Sequence, residues 1–441
     1  MTINNKNLNF STGMQKSWIK NFDKLATTEN RKNAMKILEA GLDAISTEEV
    51  IRKKIKLENN ILTINGEGFD LTKFKNIKVL GFGKASMDGA LAIEKILGSK
   101  INKGAVIDLE KADTQYIESF IGTHPRPSEP NAKAGKKIYE IIKDSSIDDL
   151  ILVLVSGGGS ALLCYPESEC VEGAKLYDAF LGSGKTINEM NTVRKHLSLL
   201  KGGGLAKLAY PATVIGLIFS DVPGDDFENV ASGPTYKDKT TISDALKIIK
   251  ENNLGDFTLI ETPKEDKYFE KVHNFVLVSN KIAIDAMKEK AREFNLETKI
   301  VSAELYDEAK EALRKIFSAK EENTVVLAAG EPKIIITKKG GRGGRNLHMG
   351  LEVIKNEIIN KKDLEDSVFI SFASDGMDNS DIAGAIVDKN TIEKAGKIGL
   401  NVDDYIERFD SYDFFQKTDD MIVTGPTGAN VSDLMILLTK K

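Results

Sequence analysis

Leu150-Ile151-Leu152-Val153-Leu154-Val155 runs without a polar side chain into Ser156-Gly157-Gly158-Gly159-Ser160. A continuous apolar run of this length suits a strand covered on both faces, the habit of parallel sheets. The glycines let the backbone turn sharply and approach a ligand closely. Consecutive amides opening a helix can hold phosphate without a cation.

The same transition recurs along the chain. Ile77–Phe82 ends in Gly81-Phe82-Gly83-Lys84-Ala85-Ser86, and Thr213–Phe219 ends in Ser220-Asp221-Val222-Pro223-Gly224-Asp225-Asp226. Ala105–Leu109 and Ile117–Ile121 read as further strands, and the 29–57 stretch as helix from apolar residues three and four apart (Ala34, Ile37, Leu38, Gly41, Leu42, Ile45). Strands alternating with helices predict an α/β fold with a mostly parallel, Rossmann-like sheet, and ligands in such sheets bind at the carboxyl ends of the strands.

A polar stretch at 237–272 suggests a division into two α/β domains, 1–265 and 266–441. The second half offers strands at Phe275–Val278, Lys299–Val301, Thr324–Ala329, Lys333–Thr337, Val368–Ala373, Ala385–Val387 and Met421–Val423. Only Gly330-Glu331-Pro332 separates two of these, which predicts a hairpin and hence a mixed sheet.

Composition narrows the function. The 441 residues are 41% hydrophobic and 29% charged with a net charge of −5, so no basic field argues for nucleic acid. No apolar run is long enough for a membrane span, and the first residues lack an apolar signal core. Cys164 and Cys170 are the two cysteines, too few for a disulfide framework, so a cytoplasmic protein is expected. Self-association is left open.

The candidate chemistry lies in the glycine-rich segments. Gly340-Gly341-Arg342-Gly343-Gly344-Arg345-Asn346 places two planar, permanently charged forks among glycines, an anion cradle. Gly83 and Lys84 permit two readings. With Ser86 and Asp108 they approximate a dinucleotide fingerprint with its ribose-binding acid, which supports NAD. The lysine inside the turn suits a terminal phosphate or a substrate carboxylate better. Asp221 is the best single candidate for proton acceptance or for magnesium, which needs only one or two carboxylates beside phosphates. Asp225, Glu331 and Asp375 are further acids at strand ends. Asn191, Arg194, Lys195 and Ser198 share one helix face. Gly182-Ser183-Gly184-Lys185-Thr186 lacks the upstream glycine and strand of a phosphate-binding P-loop and reads as a turn. The four histidines have no metal-ligand spacing.

Taken together, these segments resemble one family. Gly81–Ala85, Thr123-His124-Pro125-Arg126-Pro127, Val155–Leu162, Asn191–Ser198, Ser220–Asp226 and Ala231-Ser232-Gly233-Pro234-Thr235 occur in order, followed by Gly341–Asn346, Ser374-Asp375-Gly376 and Thr424–Asn430. This series is similar to the class-II glycerate 2-kinases, whose C-terminal half is the MOFRL domain. The resemblance implies two α/β domains with the site between them, ATP and Mg2+, and phosphorylation of D-glycerate at the 2-hydroxyl. It implies Lys84, Asp221 and Arg345 as catalytic residues. Arg194, Arg342 and Asn346 are assigned to substrate, and Gly83 with Ser156, Gly157, Gly158, Gly159 and Ser160 to the nucleotide. Asp221, Asp225, Glu331 and Asp375 are assigned to the metal. An NAD-dependent hydroxypyruvate reductase, a non-catalytic nucleotide sensor and a kinase for another small hydroxy acid are the alternatives. His348 and Met349 depart from the family pattern, and His348 is expected to bear on substrate choice.

Overall fold

The computed structural model describes residues 17–181, 187–222, 226–337, 340–360 and 364–441. Three short strands, β1 (Ile55–Glu58), β2 (Ile61–Ile64) and β3 (Glu67–Asp70), form an antiparallel sheet. They precede two larger sheets of six strands each.

The first large sheet contains β4 (Asn76–Phe82), β5 (Ile101–Asp108), β6 (Glu118–Ile121), β7 (Asp149–Ser156), β8 (Thr213–Phe219) and β9 (Val272–Val278). All its pairings are parallel, in the order β6-β5-β4-β7-β8-β9. The chain order therefore reverses between β4 and β7, where crossovers leave to opposite sides and open a crevice. Every residue of β7 is buried, as its unbroken apolar run requires. Gly83-Lys84 and Ser156–Ser160 leave the sheet at this reversal.

The second large sheet is mixed. It contains β10 (Glu297–Leu305), β11 (Thr324–Gly330), β12 (Ser367–Ala373), β13 (Gly384–Val387), β14 (Met421–Ile422) and β15 (Asp433–Thr439), ordered β10-β11-β15-β12-β13-β14. β10 and β11 are parallel, and β15 runs antiparallel between β11 and β12. Gly330 at the end of β11 and Ala373 at the end of β12 both pair with Asp433 at the start of β15. One rim of this sheet thus carries Glu331, Asp375 and Asp433.

Four expectations change. Lys333–Thr337 forms no strand beyond a bridge from Lys333 to Glu308, so no hairpin forms after β11. The antiparallel partner of β11 is β15, whose apolar residues Leu434–Leu438 the sequence reading passes over. β9, placed in the second half by a division at 265/266, is the outer strand of the first sheet. The expected helix over 29–57 breaks at Ser46, giving helices Glu29–Ile45 and Thr47–Lys54 before β1.

The helix Glu29–Ile45 packs on β12, β15 and the helix Asn280–Glu293, so the early chain forms part of the second sheet's cover. Arg31 on that helix is fully buried and bonded to Asp388 and Asp420. Lys20 and Asn21 add backbone and side-chain bonds to Met421 and Val423. A single apolar core runs from Val79 and Leu152 of the first sheet through Leu38 and Met287 to Leu327 and Leu434 of the second. Among the described residues no helix is long and apolar enough to cross a membrane.

Candidate active site

The loop after β4 and the loop after β7 are locked together. The Lys84 amide donates to the Gly157 carbonyl (2.9 Å), and the Ala85 amide donates to Ser156 Oγ (3.1 Å). Gly83 has φ +114°, and a Cβ there would lie 2.3 Å from Ser156 Oγ, so only glycine fits. Ser156 is thereby committed to holding the two loops in register. Gly158 adopts φ +79° and opens the short helix Gly159–Leu162. Ser160 Oγ pairs with Ser232 Oγ (2.9 Å), and Ser232 Oγ donates to Asn191 Oδ1 (3.3 Å), which links this loop to the helix Ile187–Leu197.

That helix carries Arg194. Its guanidinium reaches Asn191 Oδ1 at 3.4 Å but makes no ion pair among the described residues. Arg194 is half-buried, and desolvation pushes it down to about 10 against the weaker pulls of Cys164, Glu169 and Tyr177. A cation drawn out of water without a counter-ion is costly unless an anionic ligand completes it. Lys84 likewise has no ion pair among the described residues. The charges of both cations act on His124, beyond the end of β6. His124 is solvent-exposed, but partial desolvation by the surrounding loops, then the charges of Lys84 and Arg194, lower it to about 4. His124 and Lys84 also both pack against Gly158, within 3.2 and 3.3 Å of where its Cβ would be. His124 belongs to a segment used for family resemblance but received no role from the sequence.

Asp221, just beyond β8, packs directly against Gly157. Its carboxyl is pushed up to about 6, chiefly by desolvation, with Lys84 opposing and Glu331 adding to the rise. Glu331 comes from the rim of the second sheet. Tyr306, which follows β10, is raised to about 12 by burial and then by Glu331, Glu304, Asp221 and Asp226. The rims also meet at Gly428, whose carbonyl accepts a bond from Thr47 and whose Cβ would lie 3.0 Å from Asp88 Oδ2. Acids of the two rims therefore act on each other across the gap between the sheets.

On the second rim, Arg345 opens the helix Arg345–Asn360. Its Nε donates to Asp433 Oδ2 at 2.5 Å, and its Nη1 lies 3.6 Å from Glu331. Burial pushes Asp433 up to about 7 against the opposing pull of Arg345. Asp378 accepts the amides of Asn346 (3.0 Å) and Leu347 (2.8 Å), capping the same helix. Asn346, assigned to substrate by the sequence, is instead 1% exposed, with its amide spent on Asp378, Asp433 and Ser371. Arg342 is exposed and stacks on Tyr412, 3.8 Å from the ring centre, with Asp381 at 3.9 Å. Asp375 accepts the Met377 amide (2.9 Å) within its own loop. His348 is buried against Phe409 and Glu352 on the same helix as Arg345. Asp225 and the Gly182–Thr186 segment lie outside the described residues.

Asp108, the candidate ribose acid, is consumed internally. Its carboxylate accepts the amides of Met87 (3.0 Å) and Leu109 (2.6 Å), and burial raises it to about 6. Asp433 and His124 carry no role in the sequence reading, whereas Asp378 lies in the acidic segment Ser374–Asn379 that the sequence marks together with Asp375. The one available signal was an acid directly ahead of the apolar run Leu434–Leu438.

Comparison with known proteins identifies the family. Residues 33–259 match the family described as a domain of unknown function, DUF4147, and residues 324–433 match the MOFRL family. The chain is 32% identical to the glycerate 2-kinase of Pyrococcus horikoshii, over 92% of this chain and 97% of that protein. It is 34% identical to a putative hydroxypyruvate reductase of Agrobacterium vitis, over 82% and 86% respectively. The crystal structure of glycerate kinase from Thermotoga maritima superposes with a TM-score of 0.80 at 30% identity, covering 92% of this chain and 99% of that one. With two α/β domains, these motifs in order and relatives matched along nearly their whole length, the chain belongs to the glycerate 2-kinase family.

Proposed function

We propose that this protein transfers the terminal phosphoryl group of ATP to the 2-hydroxyl of D-glycerate, giving 2-phosphoglycerate and ADP. The observation that carries this reading is Arg194, a desolvated guanidinium without an ion-pair partner among the described residues, grouped with Lys84 around His124. Such a site asks for a small anion.

The reaction brings a carboxylate-bearing acceptor to a polyphosphate, so charge neutralisation and positioning dominate its difficulty. A charge pair at about 4 Å is worth roughly 4 kcal/mol at an effective dielectric near 20. Arg194 and Lys84 would take the glycerate carboxylate. Arg345, on the opposite rim, would meet the transferring phosphoryl group with the outer edge of its guanidinium. The Gly157–Gly159 turn would lie along the nucleotide phosphates. Asp221 would orient the 2-hydroxyl and receive its proton as the oxygen bonds to phosphorus and ADP leaves. A carboxyl near 6 is ionised at neutral pH yet basic enough to hold that proton.

Magnesium fits this rim. Among the described residues no group of three metal-ligating side chains occurs, so no all-protein cage is present. Magnesium beside phosphates needs only one or two carboxylates. Glu331 and Asp375 lie on a rim where Arg345 faces a surplus of acids, and they are the residues that would hold it. When bound, the ion neutralises phosphate charge.

Incubation with ATP, magnesium and D-glycerate, read by phosphorus NMR, tests the proposal. 2-Phosphoglycerate is expected. 3-Phosphoglycerate would move the regiochemistry, and no transfer to glycerate would remove the reading. The reductase alternative requires NADH consumption on hydroxypyruvate. The internal bonding of Asp108 argues against it, because the acid needed for the ribose is already paired.

A further inference from the structure

We infer that Asp433 is a positioning residue for catalysis, fixing the guanidinium of Arg345 so that its outer edge faces the opposite rim. The inference rests on the proposed phosphoryl transfer only for the identity of the anion.

Arginine has rotamer freedom that must be removed before its fork can meet an oxyanion productively. Here the removal is built in. Asp433 is 4% exposed and starts β15, held between Gly330 and Ala373 by strand pairing on both sides. Its Oδ2 accepts Arg345 Nε, and its Oδ1 accepts Asn346 Nδ2 at 2.8 Å. Asn346 is fixed in turn, with Ser371 Oγ donating to its Oδ1 at 2.6 Å and its Nδ2 reaching Asp378 at 3.2 Å. Asp378 also caps the helix that Arg345 opens. The carboxylate is thus anchored by two strands and an asparagine.

Because Asp433 takes Nε, the Nη1/Nη2 edge is left for a ligand. The other acid near that edge, Glu331, stands 3.6 Å from Nη1, beyond good hydrogen-bond distance. The buried acid therefore orients the fork without occupying its end. Glu331, the acid nearest that edge, also acts on Asp221, so the edge is presented toward the acid of the opposite rim.

The test is a double-mutant cycle on the full chain, with Asp433→Asn, Arg345→Ala and the double variant. Turnover with ATP, magnesium and D-glycerate is measured alongside calorimetric binding of tripolyphosphate. Asp433→Asn keeps the side chain's shape and should lower kcat/KM on the order of 100-fold, the cost of misplacing a reacting group by about an ångström. The double variant should be no worse than Arg345→Ala alone, because Asp433 acts through the arginine. Asp433→Glu, which restores the charge, should recover part of the loss. It carries the cycle if the asparagine variant does not fold. Losses that multiply in the double variant, or an Asp433→Asn enzyme within twofold of wild type, would overturn the inference. If wild type makes no phosphoglycerate, the proposed function falls by itself. The same non-additive pattern in tripolyphosphate affinity then decides the role of Asp433, and absence of wild-type binding to that probe overturns it too.

Discussion

The carboxylate of Asp221 lies against the α-carbon of Gly157: a Cβ on that glycine would come within 1.9 Å of Oδ2 and 2.2 Å of Cγ. The bare backbone of the loop after β7 is therefore what lets the acid after β8 reach the gap between the sheets. Gly157→Ala should leave both sheets intact and push Asp221 out of position. Loss of a positioned acid–base group typically costs 10²–10⁴-fold, so we expect kcat to fall by about that range with a cooperative melt retained. An alanine variant with near-normal turnover would show that Asp221 can move without consequence and would remove it from the mechanism.

Asp221 also sets a pH dependence. Its carboxyl titrates at about 6 in the folded chain, above the ordinary aspartate value. The ionised form grows as pH rises through 6, so kcat/KM should climb across that range and lose this limb in Asp221→Asn. Stability runs the other way. The folded state binds this proton more tightly than the unfolded state, so the acid's contribution declines as pH rises from about 4 to 6. Asp221→Asn should therefore melt above wild type at pH 7.5 and lose that advantage near pH 4. A pH profile unchanged by the substitution would assign the acid limb elsewhere.

Arg194 separates binding from folding. Its guanidinium is desolvated without an ion-pair partner among the described residues, so it burdens the ligand-free protein. Replacement by methionine, of similar length, should keep or raise the melting temperature. The same change should weaken glycerate binding by about 2–5 kcal/mol, the usual cost of truncating one side of a buried charge pair. A drop in melting temperature with unchanged KM would make Arg194 a structural residue.

Much of the first sheet was legible because its strands are continuous apolar runs that end in glycine or acid. Ile77–Phe82, Leu150–Val155 and Thr213–Phe219 lie within β4, β7 and β8. The second sheet was less so. β15 is wholly buried, yet its apolar run Leu434–Leu438 follows directly after the glycine-bearing loop at 424–432 and goes unread as a strand. Roles set by long-range pairing were invisible: nothing local tells that Asn346 turns inward, or that Asp433 meets an arginine 88 positions earlier. His124 is similar, since its character comes from Lys84 and Arg194 on other elements.

Arg31 makes the largest departure from a simple division into an early and a late half. Its Nε and Nη2 donate to Asp388 at 2.7 and 2.6 Å, and its Nη1 donates to Asp420 at 2.7 Å. Asp388 caps the helix Lys389–Lys397, while Asp420 precedes β14, so one arginine pins the early helix to two late elements. Asp420 keeps a bond to Lys394, but Asp388 has no other ion pair among the described residues. Arg31→Ala strands buried carboxylates, and breaking a buried pair from one side typically costs about 3–5 kcal/mol. Urea unfolding should show a loss of that size. Arg31 contacts neither rim of the candidate site, so kcat of the folded fraction should stay near wild type. If the loss is under about 1 kcal/mol, the early helix is held by its apolar face alone, with Met35, Leu38 and Leu42 as the anchors to vary next.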